Sequence, residues 1–315
     1  MGRYIFRRIL SLIPVLIGVS FLVFIIMHLA PGDPAEIILG PKATTEALAE
    51  LRSQLGLDLP WYVQYLRWIG KVFVGDWGRS IQLKREVLPL ILDRFGATAI
   101  LALGSMLFAV IFGLIAGIVS AIKQYTFWDR LLMLIALVGF CLPVFWLGII
   151  LQIIFGLKLG VLPVSGMHSP GGSGFLDMLR YLILPSLALA AGSSAVIARM
   201  TRSSILEVIR HDYIRTAKAK GLPKKIVIYK HALKNALIPV LTVTGLQVGY
   251  VLAGAVLVEI VFGWPGIGTL MVNGILARDF PLVQGIILLV ASSYVLVNLI
   301  VDILYAFVDP RISYK

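Results

Sequence analysis

Six apolar runs of about twenty residues or more leave this chain few ways to fold. The first is Ile9–Leu29, and the others lie at about Ala99–Ile122, Leu131–Phe155, Tyr181–Ala198, Ala236–Val261 and Val283–Val308. A bilayer core about 30 Å thick is crossed by ~20 helical residues, because each residue rises ~1.5 Å. In hydrocarbon every backbone N–H and C=O must find its partner inside the protein, so isolated runs of this kind fold as helices. Only 14% of the 315 residues are charged, where a soluble domain carries about a quarter. The sequence therefore predicts an all-α polytopic membrane protein with six spans. Residues 1–29 form the N-terminus and first span, 30–96 a helical insert outside the membrane, 97–308 a five-helix core and 309–315 a tail.

The distribution of charge orients the chain. Of its 28 Lys and Arg, 17 fall in the termini and loops that alternate on one side of the membrane. The remaining 11 are balanced by 11 acidic residues on the other side, so the entire net charge of +12 lies on one face. Basic loops stay in the cytoplasm, which predicts that both termini are cytoplasmic and that the insert faces out. The same asymmetry explains the positive charge without nucleic acid. Arg3, Arg7 and Arg8 precede a first run too long for a cleaved leader, which is read as a retained span.

Within the insert, Thr44 or Thr45 can cap a helix that Gly56 closes. Pro60 then opens an aromatic amphipathic segment with Trp61, Tyr62, Tyr65, Trp68 and Phe73. These rings suit either a headgroup boundary or a small core. Gly75–Gly78 reads as a turn, and a third short helix, about Val87–Phe95, leads back to the membrane. Pro143, Pro185 and Pro239 lie inside spans and predict kinks. The pairs Gly113/Gly117 and Gly245/Gly249 would allow neighbouring helices to approach closely.

The most organised polar stretch is the basic loop from Arg202 to Lys234. Asp212 is a candidate N-cap, Lys218 and Lys220 suit the negative end of a helix dipole, and Gly221 followed by Pro223 marks a stop. The helix Asp212–Lys220 would be about 13 Å long. A short, firmly ended helix in a cytoplasmic loop is either presented to a protein partner or a plain positive-inside loop against lipid headgroups.

Several chemistries lack their residues. There is no phosphate-binding GxxxxGK[ST] loop, and Gly263–Gly268 reads as a turn rather than a nucleotide cradle. One cysteine, Cys141, and four scattered histidines offer no metal-ligand spacing, and no nucleophile with its base can be assembled. Charge inside the spans is confined to Glu259 and Asp302, each near a span end, where it can reach an interface or pair with a neighbour. This argues against ion-coupled transport and for energy supplied by another subunit. A stand-alone channel or facilitator would tolerate the same scarcity of charge.

From end to end the chain resembles the permease subunits of ATP-binding-cassette importers, of the B type in the dipeptide, oligopeptide, glutathione and nickel group. The residues that carry the resemblance include Pro31-Gly32-Asp33-Pro34-Ala35 and Gly75-Asp76-Trp77-Gly78-Arg79-Ser80. In the basic loop they are Asp212-Tyr213-Ile214-Arg215-Thr216-Ala217-Lys218-Ala219-Lys220-Gly221, and Gly263-Trp264-Pro265-Gly266 and Asp309-Pro310-Arg311-Ile312 complete the set. The loop aligns with the family's EAA motif, although Arg215 stands where that motif has Glu.

The resemblance implies a type I importer permease fold in a bacterial inner membrane. It also implies a homologous second permease, two cytoplasmic ATPases that use ATP–Mg, and an extracytoplasmic solute-binding protein. No cofactor or metal would be bound by this chain. The helix Asp212–Gly221, within a coupling loop at 201–235, would dock in a groove on an ATPase; our own reading of its residues adds that the basic side chains would steer an acidic groove, with Tyr213, Ile214 and Ala217 packing into it. The solute would be a di- or oligopeptide, with glutathione, nickel chelates and opines as alternatives. The insert and the loop around Gly263–Asp279 would receive the binding protein.

Overall fold

The computed structural model describes residues 2–29, 34–40, 43–172, 174–223 and 226–308. Among them there is no strand, only one isolated bridge between Arg79 and Glu86. The helices, in order, are α1 (Gly2–Leu29), α2 (Pro34–Leu39), α3 (Thr45–Leu55), α4 (Trp61–Phe73), α5 (Val87–Ile122) and α6 (Phe127–Cys141). They continue with α7 (Val144–Leu151), α8 (Phe175–Val208), α9 (Asp212–Ala219), α10 (Leu233–Phe262), α11 (Ile267–Leu276) and α12 (Phe280–Val308). π-helical turns at Gln152–Lys158 and Val227–Ala232 extend α7 and precede α10. Among the described residues five helices are long and apolar enough to cross a membrane, and α6 with α7 makes six if that pair is one span.

That pair departs from the expectation of a kinked straight helix. Leu142 and Pro143 both take extended backbone, and the two halves meet at 109°. Proline disfavours helical geometry in the residue before it and removes an N–H, so the break falls where the sequence places Pro143. At Pro185 and Pro239, by contrast, α8 and α10 run on as single helices. The separate third helix of the insert does not exist either. Val87–Phe95 is the first part of the unbroken 36-residue α5.

The chain forms two compact units, one of residues 1–96 and 269–296, the other of 97–268 and 297–315. In the first, Val87 and Ile91 pack against the start of α12, where a Cβ on Gly285 would lie 2.7 Å from Val87 Cγ1. Asp279, fully buried, accepts from the N–H of Leu282 in the first turn of α12 and from the Ser80 hydroxyl and the Gln82 N–H. One carboxylate thus caps a helix and fastens the loop after α4. Thr44, not Thr45, caps α3 by accepting from the Ala47 N–H, and Gly56 ends that helix in the left-handed region. Pro31–Asp33 and the tail from Asp309 lie outside the described residues.

The second unit is built around α8, whose most apolar window is 67% buried against a third or less in the other spans. Helices α6, α7 and α10 all pack on it. So does α5, through Gly113 and Gly117. A Cβ at these positions would lie 2.7 Å from Ile197 Cγ2 and 2.5 Å from Thr201 Cβ. The small-residue pair therefore works as the sequence suggests, because nothing larger than hydrogen fits between the two backbones. We expect Gly117→Leu to force α5 from α8 and cost about 1–3 kcal/mol or more. A melting temperature in detergent equal to wild type would contradict this packing.

Candidate functional site

The loop singled out by sequence folds as a small structured unit at the end of α8. After Val208 the backbone turns through His211, whose N–H donates to the Val208 carbonyl. His211 is extended and occupies the N-cap position without a side-chain cap bond. Asp212 is thus the first helical residue rather than the cap, a shift of one from the expectation. Its carboxylate pairs instead with Arg215, 3.5 Å away and also exposed, while remaining near the positive end of the helix dipole. The His211 ring stacks on Tyr213 at 5.9 Å.

Helix α9 ends as its residues dictate. Gly221 stands at φ +77°, its N–H donates to the Lys218 carbonyl and the Leu222 N–H reaches the Ala217 carbonyl. This pair of bonds is a Schellman motif, and it satisfies carbonyls that the helix end would otherwise leave without partners. At eight residues α9 is about 12 Å long.

Its two faces differ sharply. Ile214 is fully buried and Ala217 is 8% exposed, both in a cluster with Val227 and Ala232, against which Val208, Ile209 and Leu222 pack. These two side chains face the chain's own core, so the expectation that they enter a partner's groove is corrected. The nearest apolar surface is this chain's own. The outer face carries Tyr213, Arg215, Thr216, Lys218, Ala219, Lys220 and Gly221, all exposed. Exposed Tyr229, Lys230 and Lys234 follow on the return to α10. The Asn235 amide donates to the Tyr213 hydroxyl at 2.7 Å and ties the outer face to the start of α10.

The same unit holds an ion pair that the sequence did not make evident. Arg202 was placed in the loop, yet it lies within α8 and grips Asp129 of α6 with two bonds, 2.8 and 2.9 Å long. The same carboxylate accepts from the Ser120 hydroxyl of α5 and from the Tyr125 N–H at 2.9 Å. One acidic group therefore joins α5, the turn after it, α6 and α8. The available signal was an Asp at the head of one apolar run and an Arg, three residues after Arg199, at the tail of another.

Another buried carboxylate organises the turn after α10. Glu259 is fully buried and accepts from the Thr98 hydroxyl at 2.6 Å, while Thr98 Oγ1 accepts from the Ile267 N–H. It pairs with neighbours and does not reach an interface. The turn wraps it so closely that a Cβ on Gly266 would lie 2.2 Å from its Oε1. Trp264, also fully buried, donates its indole N–H to the Ala97 carbonyl. The first part of the Gly263–Asp279 loop is thus mostly interior. The exposed part begins at Asn273 and includes Ile275, Leu276 and Arg278. The side chain of Asp302 lies outside the described ones.

Known proteins share this architecture. Residues 109–314 match the family described as the binding-protein-dependent transport system inner membrane component, and residues 1–102 match its N-terminal counterpart. The dipeptide transport system permease protein of Alkalihalophilus pseudofirmus is 48% identical, with all of both chains covered. The di/tripeptide transport system permease protein of Pseudomonas aeruginosa is 46% identical, again over the whole of both chains. The glutathione transport system permease protein of Escherichia coli is 45% identical over 315 residues, covering both fully. Among solved structures, an inward-facing form of the MetNI methionine ABC transporter superposes with a TM-score of 0.58 at 16% identity. It covers 70% of this chain and 96% of that one, a likeness of fold.

Proposed function

We propose a coupling role for α9 on one premise: the chain belongs to the family of inner membrane components of binding-protein-dependent transport systems. It is a permease subunit of an ABC importer, an integral membrane protein that works with separate ATPases and a binding protein, and not itself an enzyme. In our reading the basic loops face the cytoplasm, and α9 seats its outer face in a groove on an ATPase subunit. Arg215, Lys218 and Lys220 steer an acidic rim, and Tyr213 supplies the apolar contact. The observation that carries this reading is the division of α9 into a face pinned by Ile214 and Ala217 and an exposed basic face. A helix held that way transmits a push from the ATPase into α8 and α10, between which it is strung.

The rest of the assembly follows from the same reading. This permease lines one half of a path whose other half is a homologous permease. Two ATPases close on ATP–Mg, and the chain itself binds no cofactor. The solute is a short peptide or a peptide-like molecule such as glutathione, the chemistry that the three relatives' names share. The binding protein delivers it to the insert and to the exposed part of the loop before Asp279.

Charge reversal tests the docking. In proteoliposomes holding the whole importer, Arg215→Glu with Lys218→Glu is expected to lower ATP-driven uptake by at least tenfold, equivalent to about 1.4 kcal/mol of lost association. Both side chains are exposed, so the fold is spared. Undiminished uptake would overturn the docking role, and flux that needs no ATPase at all would return the chain to the channel reading.

A further inference from the structure

The insert holds a helix that belongs to neither the coupling loop nor a folded outer domain. No residue of α4 is buried, so the small core that its aromatics suggested is not built. Instead Trp61, Tyr65 and Trp68 lie on one side of α4 and pack on α1. Tyr65 meets Phe21 and Phe24 at 5.4 and 5.5 Å, Trp61 meets Phe21 at 6.0 Å, and Trp68 meets Phe24 at 6.2 Å. The Tyr65 hydroxyl is 2.9 Å from the Ser20 hydroxyl.

These contacts fix a depth. The apolar span of α1 runs from Leu10 to Leu29, and its 20 residues are about 30 Å long, the thickness of the hydrocarbon core. Ser20 stands nine residues before Leu29, and Phe24 five, so α4 meets α1 roughly 7–14 Å short of the span's end. The contacts run from Ile17 to Phe24 on α1 and from Trp61 to Trp68 on α4.

Around α4, next to the face on α1, runs a second apolar stripe of Tyr62, Leu66, Ile69 and Phe73. Leu66 and Phe73 are 63% and 82% exposed. Arg67 and Lys71, exposed and four residues apart, occupy the far side with Gln64. At this depth an exposed apolar stripe has acyl chains to meet, and basic side chains on the opposite face reach the headgroup phosphates.

We propose that α4 lies within the lipid leaflet at the Leu29 end of the first span, its stripe of Tyr62, Leu66 and Phe73 in contact with acyl chains. The occupant of this face is phospholipid. Part of the insert is then a membrane-embedded collar, and the segments before and after α4 carry the water-facing surface. The inference is independent of the coupling role of α9.

Spin labels decide it. Cys141, the only cysteine, is exposed and can be replaced by serine. In that background Leu66→Cys, Phe73→Cys and Lys71→Cys are labelled in the whole importer, reconstituted in phosphatidylethanolamine and phosphatidylglycerol vesicles. Each label's collisions with oxygen, which concentrates in lipid, and with a water-soluble nickel chelate are compared. Labels at 66 and 73 are expected to show oxygen-to-nickel ratios several-fold above the label at 71. Nickel access at 66 and 73 equal to that at 71 would place α4 in water and overturn the proposal. Immobile labels reached by neither reagent would overturn it in favour of a protein partner. Leu66 and Phe73 are exposed enough that labelling displaces no core contact, and two stripe positions guard against loss of one variant.

Discussion

Arg202→Met is expected to destabilise the chain by about 3–5 kcal/mol, the usual cost of leaving one member of a buried ion pair without the other. Asp129 has a side chain only 6% exposed and loses both guanidinium bonds at once. The methionine retains length and apolar surface, so lost packing contributes little. The loss should appear as a lower melting temperature in detergent and poorer accumulation in the membrane. Pairing it with Asp129→Leu should recover much of the stability, because an apolar pair of similar volume is often as stable as the ion pair it replaces. Recovery will be partial, since Tyr125 needs its acceptor. Tyr125 stands at φ +63°, where a side chain is strained, and its N–H bond to Asp129 holds it there. A double variant no more stable than Arg202→Met would show that charge is not what this cluster contributes.

That cluster marks the limit of what the sequence made legible. The spans could be read because length and apolarity alone determine a membrane helix. The end of α9 could be read because Gly221 and Pro223 act within a few residues of it. Its start was off by one, since whether His211 or Asp212 takes extended backbone depends on how the chain leaves α8. Asp129 and Arg202 are 73 residues apart, and no local pattern says that they meet. The break at Pro143 was legible as a position but not as a 109° bend. The same residue type left α8 and α10 unbroken at Pro185 and Pro239, so the outcome is decided by the neighbouring helices. The inward turn of Ile214 and Ala217 had a usable signal. Two apolar residues three apart on a short basic helix form one face, and that face covers the nearest apolar surface before any partner arrives.

The strongest test of the coupling reading is therefore at the inner face of α9. Ile214→Asp puts a carboxylate among Ala217, Val227 and Ala232, all of them apolar. Burying such a charge costs several kcal/mol, and an isolated helix shorter than ~12 residues has little stability of its own to offset that. The helix should leave its seat or melt, while the spans, which do not depend on it, remain inserted. If α9 carries the stroke, uptake per ATP hydrolysed falls by at least tenfold, the factor set by a loss of about 1.4 kcal/mol. Ile214→Val should be the mildest at about 0.5–1.5 kcal/mol, and Ile214→Ala intermediate at about 2–5 kcal/mol. Coupling should track that series, because it follows how firmly the helix is anchored and not what it presents outward. Normal uptake by Ile214→Asp would remove α9 from the mechanism. Loss of ATPase binding across the series, with the coupling of whatever complex remains unchanged, would make Ile214 a support for docking alone.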